Sequence, residues 1–114
     1  MTGERRRAPR FSLEQVIEMS YGHESFVNAR GVNISKTGLL CTSDSYLEPY
    51  TTVVLTIRVP SGPEGQILNC EGIVIRSTEE NGGYTTAISF MSFRGQDAET
   101  LNAFLGERES LNGE

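Results

Sequence analysis

Apolar and polar residues alternate over much of the chain, and the alternation predicts strands. The clearest is Thr51 to Val59, where Val53, Leu55, Ile57 and Val59 share one face and Thr52, Val54, Thr56 and Arg58 the other. It stops at Pro60-Ser61-Gly62-Pro63-Glu64-Gly65, a turn-forming cluster. Gln66 to Ser77, with Ile73, Val74 and Ile75, predicts a long strand. Asn81-Gly82-Gly83 then predicts a hairpin turn, because asparagine and glycine tolerate the positive φ that such turns need. Tyr84 to Phe93 is the expected return strand. Upstream, Leu13 to Tyr21, Ser25 to Ile34 and the short run Gly38 to Thr42 give three more strands, with Gly31 a predicted bulge or close contact.

The period changes after Phe93. Ala98, Leu101, Phe104 and Leu105 fall at helical spacing, and Asp97 is a favourable first-turn residue. Gly106 either ends this helix or is carried through to Glu107 and Arg108. Phe104 and Leu105 are expected in the core. Six strands and one C-terminal helix predict an all-β fold, a six-stranded antiparallel β-barrel with the helix packed on it. Closure removes exposed sheet edges. The expected organisation is a flexible arm over residues 1–10, the barrel and helix over 11–108, and a disordered tail over 109–114.

Charge sharpens this picture. The 114 residues carry ten basic and fifteen acidic side chains, a net of −5. Four of the bases, Arg5, Arg6, Arg7 and Arg10, lie in the first ten residues beside one acid, Glu4. The rest of the chain holds six bases against fourteen acids, a net of −8. A cationic arm therefore precedes an acidic body. The acidic body disfavours a general nucleic-acid binder, and no apolar run is long enough for a membrane span. The basic residues are not followed by the apolar segment of an export signal. Cys41 and Cys70 lie far apart without C-x-x-C spacing, so two buried thiols in a reducing cytoplasm are expected, with no metal site. His23 and Glu24 are adjacent on a strand-like stretch and point apart, and no nucleophile, base and stabiliser can be assembled. An enzyme is not expected. Glu79 and Glu80, beside the hairpin turn, are expected to be solvated.

Two clusters carry candidate chemistry. Arg6-Arg7-Ala8-Pro9-Arg10 has R-x-x-x-R spacing, and Asn33-Ile34-Ser35-Lys36-Thr37-Gly38 reads N-x-S-x-x-G between two predicted strands. A guanidinium fork matches phosphate oxygens, matches O6 and N7 of guanine, and stacks on a base. Asn33 offers amide donors and a carbonyl acceptor, and Ser35 a hydroxyl. Gly38 permits a turn with positive φ, or close approach of a ligand to the backbone. Together these residues suit a small anionic purine nucleotide. Separately, the arginines also fit a solvated tail and N-x-S-x-x-G an ordinary β-turn. By chance the first motif arises in roughly one in four chains of this length, and the second, with asparagine or aspartate at its first position, in roughly one in twenty, so their joint occurrence in order, at about a per cent, carries the weight.

From Glu4 to about Arg108 the chain resembles the PilZ domain, the bacterial receptor module for cyclic di-GMP. The resemblance rests on the arginine arm, the N-x-S-x-x-G turn ahead of Leu39-Leu40, the strands Glu71-Gly72-Ile73-Val74-Ile75-Arg76 and Ala87-Ile88-Ser89-Phe90, and the closing helix. It implies a six-stranded barrel that holds the nucleotide between arm and turn. It also implies that Arg6 and Arg10 contact guanine and phosphate, that Asn33 and Ser35 contact guanine from the barrel surface, and that Gly38 shapes the turn. Asn33 stands where many members have aspartate. Arg5 occupies a position that varies in the family, and an arginine there can stack on a second ligand, giving one or two nucleotides per chain. Arg7 and Lys36 are further candidates, Lys36 either near a phosphate or solvated. The implied protein is a receptor that orders its arm on binding and signals to a downstream effector protein, with no cofactor of its own. A PilZ-like module that binds a protein and not the nucleotide is the alternative.

Overall fold

In the computed structural model, residues 11–12, 16–21, 25–60 and 63–112 are described, with side chains over 17–20, 28–60 and 63–107. The elements are β1 (Phe11–Ser12), β2 (Val16–Tyr21), β3 (Ser25–Ile34), β4 (Gly38–Ser43), β5 (Thr52–Val59), β6 (Gln66–Glu80), β7 (Gly83–Phe93) and α1 (Asp97–Asn112). The expected strand from Leu13 is seen over Val16–Tyr21, and 13–15 lie outside the described residues.

Strand pairing follows from the alternation. On β5, Val53, Leu55, Ile57 and Val59 are all buried, while Thr52, Val54 and Arg58 face out. The ring β2–β3–β4–β7–β6–β5 closes through β5–β2, and every pairing is antiparallel. This is the expected six-stranded barrel. β1 lies in line with β2 along the same edge of β3, pairing Phe11 with Ile34 and Ser12 with Asn33. The interior is filled by Ile17, Met19, Leu39, Leu55, Ile57, Leu68 and Val74, among others.

Three irregularities reset which side chains point inward. On β3 the register against β4 shifts between Gly31 and Asn33, leaving Val32 as the extra residue. Inward positions change from Ala29 and Gly31 to Ile34. On β6 the shift falls between Val74 and Arg76, with Ile75 extra. On β7, Ser92 pairs with Glu71 and Phe90 with Gly72, so Met91 is extra. Phe90 and Phe93 thereby face the same way, with ring centroids 5.0 Å apart. Each is a β-bulge, which adds a residue to one strand and bends it. Gly31 itself is buried beside the first bulge and is not the extra residue.

The β6–β7 hairpin is tighter than expected. Glu80 pairs with Gly83, leaving Asn81 (φ 53°) and Gly82 (φ 83°) as the two-residue loop. Consecutive positive φ values give the strand-matching turn of a short hairpin. Glu79 and Glu80 are exposed, and Glu80 accepts a 2.8 Å hydrogen bond from the Thr85 hydroxyl.

Helix α1 packs on the barrel through Leu101, Phe104 and Leu105, all buried. Its start completes the sheet where β7 leaves β6. Asn69 N–H donates to the Asp97 carboxylate at 2.8 Å, and the Asn69 carbonyl accepts from Arg94 N–H at 3.0 Å. These bonds replace the strand partner that Asn69 lacks on that side. The helix continues through Gly106 to Asn112, past Arg108, where the folded unit was expected to end. One glycine costs a helix only about 1 kcal/mol, too little to stop it among residues that favour helix. Cys41 and Cys70 are free and buried; burial pushes both thiols from 9.0 up to about 12, and at Cys70 the Asp97 and Glu71 carboxylates add to the effect.

Candidate functional site

The N-x-S-x-x-G segment forms the β3–β4 connection, and the first bulge decides what it displays. With uninterrupted alternation from Ala29, position 33 would point into the barrel. Val32 delays the alternation by one residue. Asn33 is then half-buried at the surface, and Ile34 turns into the core.

The connection is held from within. Ser35 N–H donates to the Gly38 carbonyl at 2.9 Å. The Ser35 hydroxyl accepts from Thr37 N–H at 3.2 Å, lies 3.2 Å from the Thr37 hydroxyl, and reaches the Gly38 carbonyl at 3.4 Å. This is a serine-closed turn. Ser35 is fully buried, and its hydroxyl faces Thr37 and Gly38. The Thr37 carbonyl accepts from Phe90 N–H at 2.9 Å, which fastens the turn to β7.

Gly38 fits for a reason of space. A Cβ there would run into the Ile88 carbonyl oxygen and approach the Ser89 Cα at 3.4 Å. Gly38 is not among the glycines with positive φ, and the group that approaches its backbone closely is β7, a neighbour the sequence did not point to. Lys36 projects into solvent at the tip. Beside it lies a depression of about 440 Å³, lined by Lys36 and Thr37, by Phe90, Met91 and Phe93 of β7, and by Ala98, Leu101 and Asn102 of α1. Thr37 and Met91 were not singled out in the sequence. Thr37 occupies an unspecified position of the motif, and Met91 is the extra residue of the β7 bulge.

Arg5, Arg6, Arg7, Arg10 and His23 lie outside the described residues. The chain meets the barrel at Phe11, whose strand partner is Ile34, and Ser12 pairs with Asn33. The residue bonded to Arg10 therefore sits alongside the N-x-S-x-x-G segment. Among the described residues, no three His, Cys, Asp or Glu side chains come together as a metal site. Among them, no helix is long and apolar enough to cross a membrane.

Comparison with known proteins bears on this geometry. The family model described as PilZ domain matches residues 4–107. No curated protein matches the chain. Among solved structures, the Bacillus subtilis inhibitor of motility MotI/DgrA superposes with a TM-score of 0.82 at 15% identity, covering 96% of this chain and 53% of that one. The PilZ domain of Escherichia coli YcgR with c-di-GMP superposes at 0.63 and 15% identity, covering 94% and 96%. The K. pneumonia MrkH–c-di-GMP complex gives 0.68 at 18%, covering 93% and 53%. The chain thus spans about half the length of MotI/DgrA and MrkH, and nearly all of the YcgR domain.

Proposed function

The chain belongs to the PilZ domain family, and on that premise we propose that it is a non-enzymatic receptor for cyclic di-GMP. The observation that carries the reading is the pairing of Ser12 with Asn33 and of Phe11 with Ile34, which brings the end of the arginine arm beside the N-x-S-x-x-G turn. Consecutive Cα atoms lie about 3.8 Å apart, so Arg10 is tethered at that turn, and Arg6 is within roughly 18 Å of Phe11 along an extended chain. Two structures of similar fold are described with c-di-GMP bound.

In this mechanism Arg6 and Arg10 fork onto guanine and phosphate, and Asn33 reads a guanine edge from the barrel surface. Ser35 contributes through the turn: its hydroxyl holds Thr37 and Gly38, and so fixes the chain direction after Asn33. Lys36, exposed at the tip, adds positive charge near a phosphate. Arg5 and Arg7 supply further stacking and charge, and Arg5 allows a second nucleotide. Neutralising the phosphates relieves repulsion among the arginines, so binding orders the arm and presents a changed surface to an effector protein.

Isothermal titration of the chain with cyclic di-GMP tests this, with GTP and the Arg6→Ala/Arg10→Ala variant as controls. Saturable binding that the double variant loses and GTP does not reproduce is expected, and its stoichiometry reports on Arg5. Absence of heat, and of competition at high protein concentration, would replace the receptor by a PilZ-like module that binds protein alone.

A further inference from the structure

A second feature lies at the other end of β4. Gly38, at the N-x-S-x-x-G turn, pairs with Ser89, whereas Ser43 pairs with Tyr84. Five residues of strand separate these ends by roughly 17 Å. The loop from β4 to β5 crosses there and displays tyrosines. Tyr46 is 51% exposed and sits edge-on to Tyr84, with ring centroids 5.7 Å apart. Tyr50 is 77% exposed on a left-handed backbone, φ 72°. That conformation is uncommon for a bulky residue, and glycine or asparagine would adopt it more easily. The backbone holds it firmly: Tyr50 N–H donates to the Val74 carbonyl at 2.7 Å, and Val74 N–H to the Thr51 carbonyl at 2.9 Å. The first bond sets Tyr50 beside the β6 bulge residue Ile75, itself 44% exposed.

The rim is acidic. Glu48 begins the turn that carries Tyr50, since Thr51 N–H donates to its carbonyl at 3.2 Å. Glu79 is the strand partner of Tyr84. Asp44 and Glu80 flank Tyr84 along an adjoining groove of about 590 Å³. Arg30 on that groove and Arg76 beside Ile75 are the nearby bases, leaving four carboxylates against two guanidinium groups. Exposed tyrosines with carboxylates on neighbouring positions suit arginine, which stacks on the ring and forks to the acid. Tyrosine is also the residue type enriched where proteins meet. Residues 1–10, with four arginines and one acid, are the segment of this chain with the complementary charge.

We propose that Tyr46, Tyr50 and Ile75, with the carboxylates of Asp44, Glu48 and Glu79, form a docking surface for the arginine arm of a second copy of this chain. Two copies exchange arms reciprocally, as a two-fold dimer does with any self-complementary surface. The association stands apart from the nucleotide. Its reversal by cyclic di-GMP, which competes for the same arginines, rests on the receptor reading above.

Sedimentation velocity on the full chain over a wide concentration range tests the proposal. The wild type is expected to dimerise and to weaken in high salt. The surface variant Glu48→Lys/Glu79→Lys and the arm variant Arg5→Glu/Arg6→Glu/Arg7→Glu are each expected to associate at least about tenfold more weakly. Mixed, the two variants should associate, because each charge reversal then meets its complement. Circular dichroism checks that both variants fold. A monomeric wild type, an unaffected surface variant or a mixture that stays apart would overturn the docking. Titration of the surface variant with cyclic di-GMP, at concentrations where wild type is monomeric, is expected to match wild type and separates the two readings. Dimers that persist in wild type after titration shows the nucleotide bound would remove the arm as occupant. Dimerisation with no nucleotide binding would leave the docking intact and refute the receptor.

Discussion

Gly38→Ala is expected to destabilise the barrel by about 2–3 kcal/mol. The added methyl would run into the Ile88 carbonyl oxygen, a backbone atom on a paired strand that cannot swing aside. Relief requires the start of β4 to lift off β7. Two hydrogen bonds are then at risk, Phe90 N–H to Thr37 and Ser35 N–H to Gly38, both 2.9 Å. Each contributes about 1 kcal/mol net, and the disturbed packing beneath them adds a similar amount. For a domain of this size the loss lowers the melting temperature by roughly 10 °C. Urea unfolding of the nucleotide-free chain, followed by far-UV circular dichroism, measures it as a lower midpoint at unchanged slope. A loss under about 0.5 kcal/mol, accompanied by lost nucleotide binding, would refute the argument. Gly38 would then be present for the ligand's approach and not for that of β7.

Gly106→Ala should act in the opposite direction, because the added Cβ meets nothing within 4 Å and the site is an exposed helix interior; the expected gain is about 0.5–1 kcal/mol in the same urea assay. Cys41 and Cys70, pushed from 9.0 up to about 12, remain protonated in the folded chain at pH values where unfolded thiols ionise. Because the folded state then binds more protons, stability should fall as pH rises from about 9 towards 12. A pH series of midpoints checks this, and a Cys41→Ala/Cys70→Ala variant should show a shallower decline. In native protein at pH 8 both thiols should resist a disulfide reagent and react once urea is added.

What could be read from the sequence divides by the range of the interactions responsible. The alternation of β5, the helical spacing of Leu101, Phe104 and Leu105, and the Asn81-Gly82 turn arise within a few residues, and each was legible. The ring of six strands followed from counting them. The three bulges were not legible as such. Val32, Ile75 and Met91 look like ordinary strand residues, and only the register imposed by neighbouring strands leaves them unpaired. Gly31 drew attention to the right stretch but not to the right residue. The N-x-S-x-x-G turn was placed correctly between its strands. The inward direction of Ser35 was not foreseen, because it depends on Thr37 being fastened to Phe90, a contact across 53 residues of chain. The tyrosine surface was missed for a similar reason: the loop that carries Tyr46 and Tyr50 is laid along β6 by long-range bonds, Leu47 N–H to the Ser77 hydroxyl and Tyr50 N–H to the Val74 carbonyl. The arginines proposed for the site lie outside the described residues.

The Val32 bulge bears on how the gene can drift. Asn33 faces outward because Val32 is left out of the alternation, whatever residue stands there. Codon changes at position 32 that preserve strand character should therefore be nearly silent, and even losing the codon would leave Asn33 outward and Ile34 inward, because Gly31, Asn33 and Ile34 then alternate without interruption. Among descendants of this sequence, the outward asparagine should outlast both the identity and the presence of the residue before it.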